Sequence, residues 1–419
     1  MPLIFKKKLI PYTVPEVNLQ GSFSSLKYFL SEKSHQGKEI EIFEKEFAHF
    51  IDVPYAIIFP SARYALYLLY TFFNCKNKRV IVPAYTCIPA IDAVKWAGGL
   101  PFFVDIELNT YNPVFNQKLE KLNNIGALCL SYLYGLIGDH VEEFIDFSQS
   151  QNIPIIEDAA IALGGSLHGK KIGGLGDAAV FSLQSSKIIT GWKGGMVTTH
   201  RKDIYEYLLK ERTKLPLPSL SKVLFNVVAT YCRTFCSKPT LYGYTLYPIK
   251  SMISSKLFSK SISFLINQNP TEALTGESEP FLPSYEKVQF TPLQALMARH
   301  SFKNIDTLLK KRVFNAHCLI KGLEGQSNIV LPKEKNGRKH TYGRFPVRVP
   351  GKSKFNLQKL FLKEGIEIAL NYPYICAPSH TEFPNASLAS KETFLLPFHT
   401  FMSKKDIADT IHVLKTLSL

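Results

Sequence analysis

Two residues of opposite charge, Asp158 and Lys187, each follow an apolar run in the middle of the chain. The run that includes Ile155 and Ile156 ends at Asp158, and the run 178–183 is followed closely by Lys187. A buried strand that ends in a carboxylate, with a lysine on a nearby loop, has the groups that a pyridoxal phosphate site needs. In such a site the carboxylate keeps the nitrogen of the cofactor ring protonated, and the lysine amine forms the Schiff base.

Short motifs around this pair make the pattern more specific than either residue alone. They are Glu157-Asp158-Ala159-Ala160, Gly173 to Asp177, Phe181-Ser182-Leu183-Gln184-Ser185-Ser186-Lys187 and Gly194-Gly195. In order and in spacing they resemble the E-D-A-A, G-x-x-G-D and F-S-F-H-x-x-K…G-G runs of the DegT/DnrJ/EryC1/StrS family. Its members are fold-type-I aminotransferases, best known for acting on nucleotide-linked keto-sugars.

The resemblance implies that Asp158 and Lys187 are catalytic and adds a third residue at the cofactor. Ser182, five residues before Lys187, matches the family serine that donates to the phosphate group. Lys187 is expected to hold the cofactor and then to move the proton that is exchanged during transfer. Asp158 is expected to stay ionised beside the ring nitrogen, because the two opposite charges attract each other in a water-poor site.

A turn from strand to helix near Ala62 predicts a phosphate site. Residues 55–59 read as a short strand and 64–73 as a helix, so backbone N–H groups and the positive helix end lie at the turn. The family has Ser-Gly-Thr-x-Ala-Leu here, and Ala62 and Arg63 replace its glycine and threonine. The guanidinium of Arg63 could itself hold phosphate. An ordinary strand-to-helix turn is the competing interpretation.

The pocket departs from the family at further positions. Cys87 stands where the family usually places an aromatic ring that stacks on the cofactor, so it is either a ring contact or a small core residue. Ile161 replaces a residue that bonds the ring oxygen, and Lys287 replaces an asparagine that reaches the neighbouring subunit's phosphate. Either the substrate differs while the chemistry is kept, or the chain binds or regulates without catalysis. The retained Lys187 and Asp158 favour the enzyme.

The resemblance therefore implies a pyridoxal-phosphate-dependent aminotransferase. The amino group would come from an amino acid, glutamate by family expectation, and pass to a nucleotide-linked keto-sugar. The product would serve the synthesis of a surface polysaccharide or a secondary metabolite. Such transfer is ping-pong by nature. The family also implies a homodimer, whose active sites borrow residues across the subunit interface.

Alternating strands and helices from residue 55 to residue 200 predict an α/β fold. A mostly parallel sheet with helices on both faces gives three layers, and ligands bind at the carboxyl ends of its strands. The resemblance adds a smaller α+β domain at the C-terminal end. The predicted parts are an arm, a large cofactor-binding domain, a helical insertion, and a connecting helix with the small domain, at 1–38, 39–214, 215–268 and 269–419.

The predicted insertion, 215–268, has six basic residues and no Asp or Glu. Apolar residues follow helical spacing in two parts of it: Leu220, Leu224, Val227, Val228, Tyr231 and Phe235, and then Ile253, Leu257, Phe258, Ile262, Leu265 and Ile266. A basic amphipathic pair of helices suits an anionic membrane surface. A helical hairpin packed on the protein or at a subunit interface is the alternative, which is favoured because apolar helical stripes are usually core.

Composition limits the partners and the compartment. A hydrophobic content of 46% suits a large and a smaller core, and a formal charge of +16 favours anionic partners. Nucleic acid is not expected, because no recognised binding motif accompanies this charge. The seven scattered cysteines predict reduced thiols, with no metal site. No apolar run reaches the length of about 18 residues that a spanning helix requires. The predicted location is the cytoplasm, with a peripheral place at the inner membrane face if the insertion binds lipid.

Overall fold

A seven-stranded sheet forms the centre of the computed structural model, which describes residues 8–18, 21–29, 37–253, 278–370 and 372–418. The first nine strands are β1 (Tyr55–Phe59), β2 (Arg79–Pro83), β3 (Leu100–Val104), β4 (Ile125–Ser131), β5 (Ile155–Asp158), β6 (Ser166–Leu167), β7 (Lys170–Lys171), β8 (Ala178–Ser182) and β9 (Gly195–Thr199). The order across the sheet is β1-β9-β8-β5-β4-β2-β3. Within this sheet, β9 alone runs against the other strands.

Helices cover both faces of this sheet. The helices of the first half are α1 (Gly21–Phe29), α2 (Glu39–Ile51), α3 (Ala62–Phe72), α4 (Ile88–Trp96), α5 (Val141–Gln151) and α6 (Lys202–Thr213). One face packs on α2 and α5, and the other packs on α3, α4 and α6. Ile57 and Ile58 of β1 enter opposite cores because neighbouring side chains of a strand alternate. Burial on both faces explains the continuous apolar runs and confirms the predicted three-layer α/β class.

A second core belongs to the C-terminal part of the chain. The elements of this part of the chain are α10 (Pro292–Phe302), α11 (Ile305–Leu323), β10 (Arg338–Lys339), β11 (Phe345–Arg348), α12 (Lys354–Lys363), α13 (Pro384–Glu392), β12 (Thr393–Leu396) and α14 (Lys404–Ser418). Of these, α10 packs in the first core and β10 pairs with β6. The strands β11 and β12 pair antiparallel and pack with α11, α12, α13 and α14. Ile10 of the N-terminal arm joins this core and bridges to Ile366.

Three helices lie in the described part of the predicted insertion: α7 (Leu220–Cys236), α8 (Pro239–Tyr242) and α9 (Leu246–Ile253). The second predicted stripe lies outside the described residues, apart from Ile253. The first stripe divides between two faces of α7. Val227 and Tyr231 are buried with Val17 and Leu293, whereas Val228 and Phe235 are exposed.

The predicted apolar stripe divides between two faces of α7 because polar residues are also buried on the inner face of this helix. Asn226, Thr230 and Thr234 are buried there because their side chains donate hydrogen bonds to the carbonyl oxygens four residues earlier. The helix therefore has two apolar faces, and helical spacing alone did not separate them.

Candidate functional site

Asp158 and Lys187 meet at the carboxyl edge of the sheet. Asp158 is the last residue of β5 and stands opposite Ser131 of β4 and Val180 of β8. The strand β8 ends at Ser182, and Lys187 lies in the loop that follows. The parallel strands β5 and β8 are neighbours, so their ends deliver both residues to the same place.

Electrostatics shows that the two side chains act on each other. Burial raises the pKa of Asp158, while the Ala160 N–H, 3.2 Å from Oδ1, and the ammonium of Lys187 oppose that rise. Burial lowers the pKa of Lys187, and the guanidinium of Arg344 adds to this effect. Cys87 and Asp158 act in the opposite direction. A lysine with a lowered pKa has more of the neutral amine that a nucleophile requires.

Glu157, the residue before Asp158, stabilises the backbone around the site. The carboxylate of Glu157 is fully buried and accepts hydrogen bonds from the N–H groups of Gly173, Leu175 and Gly176 at 3.0, 2.8 and 2.9 Å. Tyr132 adds its hydroxyl at 3.0 Å. These bonds fix the turn that leads into β8, and therefore fix the strand that carries Ser182.

The predicted phosphate turn lies beside Ser182. Ser61 caps α3 by accepting a hydrogen bond from the Tyr64 N–H at 3.1 Å, and Ala62 is the first helical residue. Gly195 pairs with Ser182 in the sheet. A Cβ on Gly195 would lie 2.3 Å from the Ala62 nitrogen, so only glycine permits this approach. The hydroxyl of Ser182 and the N-terminus of α3 are thereby brought together, and both are donors suited to a phosphate.

Arg63 lies on the side of α4. Its guanidinium is 5.5 Å from the centre of the Trp96 ring. Burial raises the pKa of Asp92, and Arg63 is among the groups that oppose the rise. Arg63 also acts on Cys87. The structure thus places Arg63 beside α4, within electrostatic reach of Asp92 and Cys87.

Cys87 lies within electrostatic reach of Lys187 and Asp158 and contacts a tyrosine of the small domain. It caps the N-terminus of α4, and burial raises its pKa while Lys187 and a hydrogen bond with Tyr372 oppose that effect. Tyr85 donates to or accepts from Tyr134, with 3.0 Å between the hydroxyl oxygens. The ring of Tyr372 meets that of Tyr85 edge-on, at 5.8 Å between centres. The aromatic wall is therefore made by tyrosines around Cys87.

Three residues that sequence reasoning did not select also reach the site: Arg344, Glu286 and Tyr372. Arg344 is buried and donates to the carbonyl oxygens of Ser186 and Gly343, so the small domain holds the lysine loop. Glu286 accepts a hydrogen bond from the Ser61 hydroxyl. All three lie far along the chain from Asp158 and Lys187, so local spacing does not predict that they reach the site.

Ile161 and Lys287, the other two residues that differ from the family pattern, lie in two different places. The carbonyl oxygen of Ile161 packs on Gly343, where a Cβ would lie 2.2 Å away. Ile161 is thus fixed between the two domains beside the pocket. Lys287 is exposed, and it directly follows the buried Glu286.

The side chains present fit pyridoxal phosphate. An acid and an amine act on each other across the pocket, and two donor groups for phosphate adjoin the close approach at Gly195. Among the residues that the structure describes, no cluster of three or more His, Cys, Asp or Glu side chains could hold a metal ion. Nor does any described helix have the length and apolarity to cross a membrane.

Comparison with known proteins shows to which family the chain belongs. The model of the DegT/DnrJ/EryC1/StrS aminotransferase family matches residues 26–214 and 282–415. The chain belongs to this family. The aminotransferases of the family depend on pyridoxal phosphate, and the structure of the putative sugar aminotransferase Spr1654 is known in a PLP form and a PMP form.

Relatives with assigned activities align with part of the chain. The GDP-perosamine synthase of Escherichia coli O157:H7 is 35% identical over 178 residues, which are 42% of this chain and 49% of that protein. This chain thus spans about half the length of the relatives that it matches in this way. The spore coat polysaccharide biosynthesis protein SpsC of Bacillus subtilis is 22% identical over 428 residues, covering 98% of both chains.

Solved structures share the fold. Helicobacter pylori PseC, an aminotransferase involved in pseudoaminic acid biosynthesis, has a TM-score of 0.75 at 19% identity, over 98% of this chain and 99% of PseC. Spr1654 of Streptococcus pneumoniae has a TM-score of 0.74 at 20% identity, over 98% of this chain and 99% of its own. At these identities the likeness concerns the fold alone.

Proposed function

We propose that the chain transfers an amino group from an amino acid to a keto-sugar, with pyridoxal phosphate as cofactor. The observation that carries this proposal is the electrostatic coupling of Asp158 and Lys187 at the carboxyl edge of the sheet. Relatives named as GDP-perosamine synthase and as UDP-linked amino-sugar transaminase support a nucleotide-linked keto-sugar as the acceptor. Glutamate as the donor follows from the family resemblance.

Each residue of the site has a separate task. Pyridoxal phosphate, when bound, supplies an electron sink for bond changes at the substrate carbon. The carboxylate of Asp158 would keep a proton on the ring nitrogen, and the amine of Lys187 would hold the cofactor and move a proton. Ser182 and the N-terminus of α3 at Ala62 would hold its phosphate group. Arg344 holds the Lys187 loop and keeps the amine neutral at lower pH.

A binding or regulatory role without catalysis is the alternative, since Cys87 and Ile161 differ from the family pattern. Visible absorbance after reconstitution with pyridoxal phosphate separates the two. We expect a band of protein-bound cofactor that glutamate bleaches and that Lys187→Ala lacks. Lys170→Ala, an exposed lysine on β7, is the matched control and should keep the band. A band that glutamate leaves unchanged would favour the regulatory role.

The proposed assembly is a homodimer, as the family resemblance implies. The exposed Lys287 beside the pocket, at the family position that reaches a neighbouring subunit, supports it. Light scattering at micromolar concentration should give twice the mass of one chain, 47.3 kDa. A monomeric mass would remove any role of Lys287 across an interface.

A peripheral place at an anionic membrane surface is the second part of this proposal. The outer face of α7 exposes Phe225 at 48%, Val228 at 44% and Phe235 at 51%. The described residues 215–253 include four basic residues and no acidic one. Lys250 is paired with Glu367, but the segment itself contains no acidic residue, and an apolar helix face in a basic segment is complementary to anionic lipid.

Vesicle flotation tests the membrane proposal. Vesicles with and without about one-third anionic lipid should float the protein only when the anionic lipid is present, because surface charge attracts the basic segment. Phe235→Ser should reduce flotation by about tenfold, since one apolar side chain contributes about 1.5–3 kcal/mol. Phe355→Ser, at an equally exposed phenylalanine on α12, should not. A change of oligomeric state instead of flotation would assign this face to a second copy of the chain.

A further inference from the structure

The helix α7 touches the loop that carries Lys187, although it lies outside the residues that match the family, 26–214 and 282–415. Arg233 of α7 donates from Nη1 to the hydroxyl oxygen of Ser185 at 3.3 Å. Ser185 is buried and stands two residues before Lys187. A segment beyond the common family chain therefore delivers a cation to the lysine loop.

Arg233 differs from two buried arginines of the described chain, which pair with carboxylates. Arg312 pairs with Glu16 at 3.0 Å, and Arg348 pairs with Glu392 at 2.9 Å. Arg233 has a neutral hydroxyl as its hydrogen-bond partner. Burial lowers its pKa to about 10, with no carboxylate to oppose the shift. A guanidinium withdrawn from water is normally paired, because its desolvation is unfavourable.

Two donor groups at this place are buried with no partner among the described residues. One is Nε of Arg233, and the other is the indole Nε1 of Trp192, which lies on the same loop five residues after Lys187. Trp192 packs with Val227 and Tyr231 of α7. Unsatisfied buried donors are rare in folded proteins and indicate a missing acceptor. Arg233 as a whole residue is half-buried, so part of its side chain remains accessible to solvent.

We propose that Arg233 is an anion-binding residue of the substrate pocket and takes a carboxylate or a phosphate group of a substrate. A guanidinium binds both groups with two parallel hydrogen bonds. The identity of the substrates rests on the proposed aminotransferase function. An amino-acid donor brings a carboxylate, and a nucleotide-linked sugar brings a diphosphate. The insertion thereby helps to select the substrate, which the motifs common to the family do not do.

Calorimetry on the full chain, reconstituted with pyridoxal phosphate, tests this role. The probes are L-glutamate and, separately, GDP, UDP and dTDP. Arg233→Gln should weaken the binding of one probe class by about 10- to 100-fold, since a hydrogen bond to a charged group contributes about 1.5–3 kcal/mol. Arg233→Lys should recover part of the loss because it keeps the charge. Arg79→Gln removes an exposed arginine distant from the site and should bind as the parent does.

The outcomes distinguish this inference from the proposed function. Loss of glutamate binding alone assigns Arg233 to the amino donor, and loss of nucleotide binding alone assigns it to the acceptor. Unchanged affinity for both classes in Arg233→Gln overturns the inference. Ser185→Ala, which removes the hydroxyl partner and keeps the cation, should have a smaller effect and serves if Arg233→Gln folds poorly. Arg233-dependent binding without a cofactor absorbance band would overturn the enzyme function and leave the anion site.

Discussion

The buried Lys187 has neighbours that shift its pKa in opposite directions, with a net lowering. Burial and the guanidinium of Arg344 favour the neutral amine, while Asp158 and Cys87 favour the ammonium. The same lysine opposes the rise in pKa that burial causes at Asp158. The pKa of Lys187 is thus lowered towards the neutral amine, and the charge of Lys187 works against protonation of Asp158. A pair adjusted in this way can deliver an amine and keep a carboxylate charged at the same pH.

The effect of Arg344 on this balance can be measured. Arg344→Gln removes a positive charge, so the pKa of Lys187 should rise and less neutral amine should be present at pH 7. The rate at which the protein captures pyridoxal phosphate, followed by absorbance against pH, should fall at neutral pH and recover at higher pH. Arg344→Lys keeps the charge and should keep the pH profile near that of the parent. An unmoved profile in Arg344→Gln would show that burial alone sets this pKa.

At the scale of elements, the site depends on the close packing of β9 on the start of α3. Ser182 and Phe59 both pair with Gly195, and the Ser61–Ala62 peptide lies directly over it. The strand β9 therefore acts as a spacer between the two groups of phosphate donors.

Gly195→Ala should disturb that spacing. The new Cβ would lie 2.3 and 2.4 Å from backbone atoms of Ala62 and Ser61, which cannot move aside as a flexible side chain would. We expect a loss of about 1–3 kcal/mol in the free energy of unfolding, as in other overpacked cores, and weaker binding of pyridoxal phosphate. Gly174→Ala, whose Cβ meets side-chain atoms at 3.3 Å, is the matched control. Urea unfolding and cofactor titration measure both effects. Parent-like values for both would contradict the spacer role.

Local pattern was enough to predict the sheet and the acid–amine pair. The strand β1 has the predicted bounds, 55–59, and Asp158 ends β5 while Lys187 follows β8, because apolar runs mark strands. Arg344 reaches Ser186 across 158 positions of sequence, and such a contact has no periodicity to reveal it. The two faces of α7 were likewise hidden, because Asn226 and its neighbours satisfy their polar groups within the helix.

At the scale of the whole molecule, the N-terminal arm connects the two cores. Glu16 pairs with the buried Arg312 of α11, and its carboxylate also accepts from the Thr400 N–H at 2.9 Å. Tyr12 lies under the guanidinium of Arg344, at 5.5 Å from ring centre to Cζ. The arm therefore supports the arginine that holds the lysine loop. Conditions that release the arm should therefore change the position of the Lys187 loop and also lower the free energy of unfolding.

Acid should release the arm through His399. Its Nε2–H donates to the carbonyl oxygen of Pro11 at 3.2 Å, while Nδ1 is buried with no partner among the described residues. Burial lowers the pKa of His399 to about 3, since a proton on Nδ1 would have no acceptor. Between about pH 6.5 and the folded value, the unfolded chain therefore binds a proton that the folded chain does not.

Because of this difference, the free energy of unfolding should decrease as the pH is lowered. The slope from His399 should be about 1.4 kcal/mol per pH unit below pH 6.5. His399→Gln should lower stability at pH 7.5 but reduce the acid slope by that amount in urea unfolding at pH 5, 6 and 7.5. His200→Gln changes an exposed histidine and should leave the slope as it is. Equal slopes for His399→Gln and the parent would show that protonation of His399 does not contribute to acid unfolding and does not release the arm.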